Sequence, residues 1–114
     1  MVACTILLKV KKFHVRDGMG VTLLRKNNIP SIIVTKEKNE IIKQWSTKMK
    51  IDKLLMGIIN KETILKKICK DYSVKPSEVC YIGDDINDLG LLKLVGLSVT
   101  PSDGIAEAQK TCDY

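Results

Sequence analysis

One stretch decides the fold of this chain: Val79-Cys80-Tyr81-Ile82-Gly83-Asp84-Asp85-Ile86-Asn87-Asp88. Its first four residues are apolar and predict a buried β-strand, which breaks at the glycine. Three aspartates follow within about one turn, and leucines at helical spacing come next. A strand, a tight turn, an acidic cluster and a helix, in this order, are typical of open α/β sheets, which present polar groups at the carboxyl ends of their strands.

The acidic cluster has two interpretations, and the stretch alone leaves both open. It is a solvated turn if Asp85 or Asn87 simply caps the next helix, as acidic residues commonly do. It is a functional site if the mutual repulsion of Asp84, Asp85 and Asp88 is relieved by a hard cation such as Mg²⁺.

The composition limits the class of protein. A chain of 114 residues, 45% hydrophobic and 28% charged, suits one small globular domain. The net charge of +6 comes mostly from lysines scattered along the chain, so we expect no nucleic-acid partner. The sequence shows neither a membrane-length apolar run nor a secretory leader, and its four cysteines form no CxxC pair. We therefore expect no membrane association, reduced thiols and a cytoplasmic location.

Strand and helix patterns alternate along most of the chain. Met1–Leu8 is expected to be extended, residues 9–15 to form an edge or hairpin strand, and Arg16–Gly20 to form a turn in which Asp17 caps the next helix. Further strands are predicted over residues 31–35, 51–56, 79–82 and 96–101, with helices over 40–49, from 60, over 89–94 and over 104–110. This alternation predicts a three-layer, Rossmann-like parallel sheet with helices on both faces.

Polar residues follow the predicted strands at the points where each strand ends. They are Arg16-Asp17-Gly18, Thr35, Lys61 and Asp84-Asp85. Each has a plain structural explanation, because a threonine at a strand end is usually a cap and a lysine at a helix start usually faces solvent. In a parallel sheet, however, all of them lie at one edge, where a hydroxyl, an ammonium and carboxylates suit a phosphate and a divalent cation.

The same residues, in the same order, resemble a known family. The matching segments are Phe13–Gly20, Ile33-Val34-Thr35, Lys61, Tyr81–Leu89, and Val95–Val99 with Pro101 and Asp103. They resemble the haloacid-dehalogenase (HAD) superfamily and, more narrowly, its capless phosphatases of the 3-deoxy-octulosonate 8-phosphate group. That group includes phosphatases of related nine-carbon sugar acids and the domain fused behind some acylneuraminate cytidylyltransferases. The resemblance runs from about residue 12 to the end.

The resemblance implies roles for particular residues. It implies that the Thr35 hydroxyl binds phosphate, that Lys61 neutralises the phosphate and the nucleophile, that Asp84 completes a Mg²⁺ site and that Asp85 orders it. A substrate-contacting loop is implied for His14, Val15, Arg16, Asp17 and Gly18. The implied substrate is a phosphorylated sugar acid, and the implied assembly is a homotetramer in which a neighbour closes the site.

Two departures from the family pattern stand out. The family carries its nucleophile and general acid in an Asp-x-Asp-Gly stretch on a central strand, whereas no aspartate precedes Asp17 here. The resemblance therefore implies no aspartyl-phosphate intermediate and a gap in the middle of the sheet. We do not expect Met1–Leu8 to fill this gap, because its connection to Phe13 is too short to cross over. The octulosonate branch also reads Thr-Gly-Arg where this chain has Thr35-Lys36-Glu37.

We therefore expect residues 1–114 to form a single capless domain that lacks the nucleophile strand and is incomplete at both ends. Such a chain is a gene fragment, a diverged pseudoenzyme or a truncated chain. The functional hypothesis is a Mg²⁺-dependent phosphatase-family domain for a phosphorylated sugar acid, inactive as this chain alone. The alternative is a non-catalytic oligomerisation module or tail of an acylneuraminate cytidylyltransferase. A receiver-like regulatory domain fits less well, because the acidic cluster follows a late strand.

Overall fold

A five-stranded parallel sheet forms the centre of the fold, with the strand order β3-β2-β1-β4-β5. The computed structural model describes the backbone of residues 3–6 and 15–114, and the side chains of residues 18–114. The strands are β1 (Ala3–Ile6), β2 (Ser31–Val34), β3 (Lys53–Leu55), β4 (Val79–Ile82) and β5 (Leu97–Val99). The helices are α1 (Val15–Lys26), α2 (Glu40–Lys48), α3 (Lys61–Tyr72), α4 (Leu89–Leu94) and α5 (Ala106–Thr111).

Helices cover both faces of the sheet, as the alternation predicted. Ile32 and Val34 of β2 pack with Ile68 of α3, so by strand alternation Ile33, which is also fully buried, faces the opposite layer. On the first face, α3, α4 and α5 also share a core cluster with Val79 and Tyr81 of β4. Elsewhere, α1 meets the end of α2, where the guanidinium of Arg25 donates to the Met49 carbonyl at 3.1 Å.

The sequence predicted the boundaries of the middle helices well. Asn39 precedes α2 and its side chain accepts from the Ile41 amide at 2.8 Å, while Asn60 precedes α3 and accepts from the Thr63 amide. These side chains satisfy amides that have no partner inside a helix, which is why each helix begins where it does. Lys61, the first residue of α3, is thereby placed at the carboxyl edge of the sheet.

The gap expected in the middle of the sheet is not found, and that prediction is corrected here. β1 occupies the position between β2 and β4, with Ile6 paired to Ile33 on one side and to Ile82 on the other. An apolar, partly β-branched segment suits a central parallel strand, which is flanked on both sides and covered on both faces. The edge or hairpin strand predicted over residues 9–15 lies outside the described residues except for Val15, which is the first residue of α1.

The turn predicted over Arg16–Gly20 is also wrong, because these residues lie within α1. Asp17 is the third residue of that helix and so is not its N-cap. Two glycines misled the prediction, since glycine costs a helix only about 1 kcal/mol and does not exclude it. Gly18 has a packing reason to be there: a Cβ at that position would lie 2.6 Å from the Met49 sulfur.

The remaining elements complete the sheet edge. A short 3-10 helix, Pro76–Glu78, leads into β4, and the predicted helix after β5 is found as α5. Beyond α5 the chain returns to β5, where the Thr100 amide donates to the Tyr114 carbonyl at 3.0 Å. Within the residues that the structure describes, no helix has the length and apolar character needed to cross a membrane.

Candidate functional site

A buried ion pair lies at the carboxyl edge of the sheet. The Lys61 ammonium is 2.5 Å from Oδ1 of Asp88, and the two side chains are 1% and 0% exposed. The hydroxyl of Tyr81, which is also fully buried, donates to the same oxygen at 2.8 Å. A buried carboxylate requires this kind of compensation, because an unpaired charge away from water is strongly destabilising.

The second oxygen of Asp88 organises the acidic turn. Oδ2 accepts from the backbone amides of Asp84 at 3.0 Å and Asp85 at 3.1 Å. The Asp88 amide in turn donates to the Asp85 carbonyl at 3.0 Å. The Asp85 side chain also accepts from the Asp88 amide, and this bond together with the one from the Asp85 amide to Asp88 makes a capping box around a short 3-10 helix, Ile86–Asp88. The three aspartates of the sequence motif therefore have different environments.

Gly83 is required by the packing of this turn. A Cβ built on Gly83 would lie 2.7 Å from Cβ of Asp88 and 2.9 Å from Cε1 of Tyr81. Both of these atoms belong to side chains that are held by hydrogen bonds, so neither moves aside cheaply. The glycine in this motif therefore makes room for the carboxylate that folds back over it.

Thr35 ends β2 at the same edge of the sheet. Its backbone is fixed on both sides, because its amide donates to the Leu55 carbonyl at 2.9 Å and its carbonyl accepts from the Ile58 amide at 3.0 Å. Its Oγ1 accepts from the Glu37 amide at 3.1 Å. Accepting that bond leaves the hydroxyl proton able to donate, which is what a phosphate oxygen needs.

Thr35 and Asp84 lie at the same level of the sheet on either side of β1. Each is two residues beyond an isoleucine, Ile33 or Ile82, that pairs with Ile6. Since neighbouring strands are about 4.8 Å apart, the backbones of Thr35 and Asp84 are about 10 Å apart. A hydroxyl on one side and a carboxylate on the other suit a phosphate and an accompanying cation.

The described residues supply only part of a magnesium site. Among them, no group of three or more His, Cys, Asp or Glu side chains is placed to hold a metal ion. Both oxygens of Asp88 are engaged by donors, and Oδ1 of Asp85 accepts from the Ile86 amide at 2.7 Å, so Asp84 is the carboxylate best placed for a metal. One carboxylate is a partial fit, because Mg²⁺ in phosphoryl sites commonly takes one or two carboxylates, waters and phosphate oxygens.

The structure brings together four of the predicted site residues. Thr35, Lys61, Asp84 and Asp85 share the carboxyl edge, as the sequence predicted. Of the expected substrate loop, Val15, Arg16, Asp17 and Gly18 lie in the first turns of α1, so they do not form a loop, and His14 lies outside the described residues.

Sequence reasoning missed how the acidic cluster is stabilised. It offered solvation or a cation, whereas Asp88 is neutralised by Lys61, a lysine 27 residues earlier in the chain. The plain structural interpretation of Asp85 is confirmed, because its side chain does cap the following turn. A tyrosine three residues before the cluster, in a strand predicted to be buried, was a usable signal, since a buried phenol needs a polar partner.

Comparison with known proteins gives the family. The model of the haloacid dehalogenase-like hydrolases matches residues 20–114, which is most of the chain. The chain belongs to the haloacid dehalogenase-like hydrolase family, which confirms the superfamily indicated by the sequence motifs.

Within this family the chain is similar to 3-deoxy-D-manno-octulosonate 8-phosphate phosphatases. It is 32% identical over 106 residues to the enzyme of Salmonella typhimurium, covering 93% of this chain and 56% of that protein. It is 28% identical over 105 residues to the enzyme of Haemophilus influenzae, covering 92% of this chain and 58% of that protein. The chain thus spans little more than half the length of these curated relatives.

Solved structures share the fold. The 3-deoxy-D-manno-octulosonate 8-phosphate phosphatase of Yersinia pestis superposes with a TM-score of 0.94 at 23% identity, covering 98% of this chain and 69% of that one. The Moraxella catarrhalis phosphatase of the same name, solved with a magnesium ion, a phosphate ion and a KDO molecule, gives a TM-score of 0.92 at 21% identity, covering 98% and 74%. The prediction of a three-layer α/β fold of the HAD type is confirmed.

Proposed function

We propose that this protein is a phosphatase-family domain that binds the phosphate end of a phosphorylated sugar acid, of the 3-deoxy-octulosonate 8-phosphate or nonulosonate 9-phosphate type. The observation that carries the proposal is the hydrogen-bonded cluster of Lys61, Asp88 and the Asp84–Asp85 turn at the carboxyl edge of the sheet. This cluster lies within the segment that matches the hydrolase family. The curated relatives, which act on 3-deoxy-D-manno-octulosonate 8-phosphate, supply the substrate class.

Each residue of the site has a binding or orienting task in this proposal. Thr35 donates its hydroxyl proton to a phosphate oxygen, and Lys61 contributes positive charge at the start of α3. Asp84 offers a carboxylate to Mg²⁺, which when bound would polarise the phosphate. Asp88 acts on these groups indirectly, because its two oxygens hold the lysine and the turn. The magnesium ion of the Moraxella catarrhalis structure supports the choice of metal.

Hydrolysis by this chain alone is not expected. The family uses an aspartate nucleophile after the strand that corresponds to β1, whereas the residues that follow Ile6 in this sequence are Leu7, Leu8 and Lys9. A leucine cannot form the acyl phosphate through which the family works. We propose a cytoplasmic homotetramer, in keeping with the family resemblance.

The missing aspartate nucleophile also favours a second candidate function. This candidate is a non-catalytic oligomerisation module of the kind fused to acylneuraminate cytidylyltransferases. The two candidates differ in what they require. The module must assemble, and it has no need of phosphate; the phosphatase-type domain must bind phosphate with Mg²⁺ in either assembly state. Analytical ultracentrifugation tests the module, since a strictly monomeric chain contradicts it.

Phosphate binding tests the main proposal. With Mg²⁺ and inorganic phosphate, we expect the NMR amide resonances of Thr35, Lys61 and Asp84 to shift together. The shifts should be lost in Asp84→Asn, which keeps the size of the side chain and removes its charge. A matched control is Asp103→Asn, in the loop after β5. If the wild-type resonances do not respond to Mg²⁺ and phosphate, the proposal is wrong.

A gain-of-function variant tests the account of the missing nucleophile. Leu7→Asp, Lys9→Asp and Val10→Gly together restore the Asp-x-Asp-Gly pattern directly after β1. We expect release of phosphate from 3-deoxy-D-manno-octulosonate 8-phosphate to rise above that of the unchanged chain. Adding Asp84→Ala should abolish the gain. A folded variant that binds phosphate and still gives no turnover would show that the missing aspartates are not what limits activity.

A further inference from the structure

Tyr81 is a buried polar side chain that the proposed binding roles do not use. It lies in β4, is 0% exposed and packs in the cluster formed with α3, α4 and α5. Its ring could be replaced there by phenylalanine if packing were its only task. Its hydroxyl, however, donates to Oδ1 of Asp88 at 2.8 Å, the same oxygen that the Lys61 ammonium contacts.

The hydrogen bond from Tyr81 completes the set of donors around Asp88. Oδ1 receives the Tyr81 hydroxyl and the Lys61 ammonium, and Oδ2 receives the two backbone amides of the Asp84–Asp85 turn. Two donors on each oxygen fix the rotation of the carboxylate about its Cβ–Cγ bond. Without the hydroxyl, Oδ1 is held only by the flexible side chain of the lysine, so the plane of the carboxylate is less well defined.

We propose that Tyr81 is a positioning residue of the candidate site, acting through Asp88 to hold both the Asp84–Asp85 turn and the Lys61 ammonium in place. The inference rests on the proposed function only in naming phosphate and Mg²⁺ as the ligands of the turn and the ammonium. What Tyr81 does to the geometry of the turn is independent of any ligand.

Two further observations support the assignment. Gly83 lies between the ring and the carboxylate, with a built Cβ 2.9 Å from Cε1 of Tyr81 and 2.7 Å from Cβ of Asp88, so ring, glycine and carboxylate pack without spare room. Burial, and then the Asp88 carboxylate, raise the pKa of the Tyr81 phenol above its ordinary value. The phenol therefore keeps its proton, and remains a hydrogen-bond donor, at neutral pH.

The test removes only the hydroxyl. In Tyr81→Phe we expect amide hydrogen exchange of Asp84 and Asp85 to become roughly tenfold faster than in the wild type, as for the loss of a hydrogen bond to a charged acceptor. The matched control is Tyr72→Phe, which removes a hydroxyl from a tyrosine that packs against the same core cluster. Unchanged exchange at Asp84 and Asp85, or equal acceleration in the control, overturns the proposal.

A measurement on the unaltered chain makes the test independent of the variant's folding. A hydroxyl proton held between a phenol and a carboxylate exchanges slowly and gives its own downfield NMR resonance. We expect that resonance for Tyr81, with a nuclear Overhauser contact to the Asp88 amide. Its absence in the folded wild-type chain counts against the hydrogen bond, and so against the proposal.

Titration with Mg²⁺ alone separates this inference from the proposed function. If both hold, Tyr81→Phe weakens Mg²⁺ binding at the Asp84 amide resonance severalfold and Tyr72→Phe leaves it unchanged. If the wild-type chain does not respond to Mg²⁺ but Tyr81→Phe still speeds exchange at the turn, the positioning role stands and the metal site fails. Binding of Mg²⁺ that is equal in wild type and Tyr81→Phe shows that the turn does not need Tyr81.

Discussion

Two lysine–aspartate pairs in this protein have almost the same geometry and very different surroundings. Lys61 and Asp88 are 2.5 Å apart and 1% and 0% exposed, whereas Lys53 and Asp71 are 2.7 Å apart and 33% and 36% exposed. Both pairs involve α3, one at its first residue and one near its end. Distance alone would rank them as equals, so the comparison isolates the effect of burial.

Burial changes what each pair does. In water the attraction between opposite charges is offset by hydration and by the ordering of two long side chains, so an exposed pair contributes little. Inside the protein neither partner can return to water, and each depends on the other. The buried pair also shares its carboxylate with Tyr81 and the Asp84–Asp85 turn, so it couples the fold to the candidate site.

The largest expected effect comes from breaking the buried pair. Lys61→Met leaves the Asp88 carboxylate without its cation, and we expect a loss of about 3–5 kcal/mol in the free energy of unfolding. Lys53→Met makes the same chemical change at the exposed pair, and we expect it to have a far smaller effect. Urea unfolding of both variants measures the difference, and equal losses would contradict the role assigned to burial.

A double variant sharpens this result. Lys61→Met combined with Asp88→Asn removes both charges and keeps a side-chain oxygen that can accept from Tyr81 or the turn, so we expect it to recover part of the lost stability. We expect the variant to be more stable than Lys61→Met and its amide resonances still not to respond to Mg²⁺ and phosphate. That result would show that the ion pair holds the geometry of the Asp84–Asp85 turn and is not required for folding.

A medium effect is expected from filling the space beneath the buried pair. Gly83→Ala forces a Cβ against Asp88 and Tyr81, and overpacking of this kind costs about 1–3 kcal/mol. Gly20→Ala is the matched control, because a Cβ there meets nothing within 4 Å and alanine is the better helix former by about 1 kcal/mol. Thermal unfolding should therefore move in opposite directions, and a shift of the same sign in both variants would be inconsistent with the packing at Gly83.

The smallest effect is expected at the exposed pair and depends on pH. The hydrogen bond from Lys53 lowers the pKa of Asp71 below its ordinary 3.8. A carboxylate with a lowered pKa in the folded state contributes stability above the unfolded value, and that contribution is lost as the pH falls through the folded value. The small difference between wild type and Asp71→Asn should thus be present at pH 6 and vanish in strong acid.

The Lys53 ammonium of the exposed pair gives a second pH dependence, at high pH and in the opposite direction. The hydrogen bond to Asp71 raises the pKa of Lys53 above its ordinary 10.5, so its contribution is present below that value and is lost as the pH rises through the folded one. Added salt should weaken the contribution at neutral pH as well, since exposed charges are screened. A difference that persists unchanged in strong acid and in high salt would mean that Asp71 acts through packing instead.

Local patterns predicted most of the elements and failed in specific places. β2 and β4 are short apolar runs bounded by polar residues, and α2 and α3 each begin after an asparagine that caps them. These signals depend only on neighbours in sequence. The helical state of Arg16–Gly20 was missed because two glycines there indicated a turn, whereas one of them, Gly18, lies against Met49, a residue far along the chain that a local pattern does not contain.

By itself the sequence determined the alternation of strands and helices, the family, and the edge of the sheet at which Thr35, Lys61, Asp84 and Asp85 collect. Hydrophobic periodicity and the turn residues encode these features locally. Only the tertiary structure decided that β1 fills the centre of the sheet and that Lys61 neutralises Asp88. Strand order and a pairing across 27 residues depend on which surfaces meet in three dimensions. Burial then gives the Lys61–Asp88 pair a larger effect on stability than its distance alone indicates.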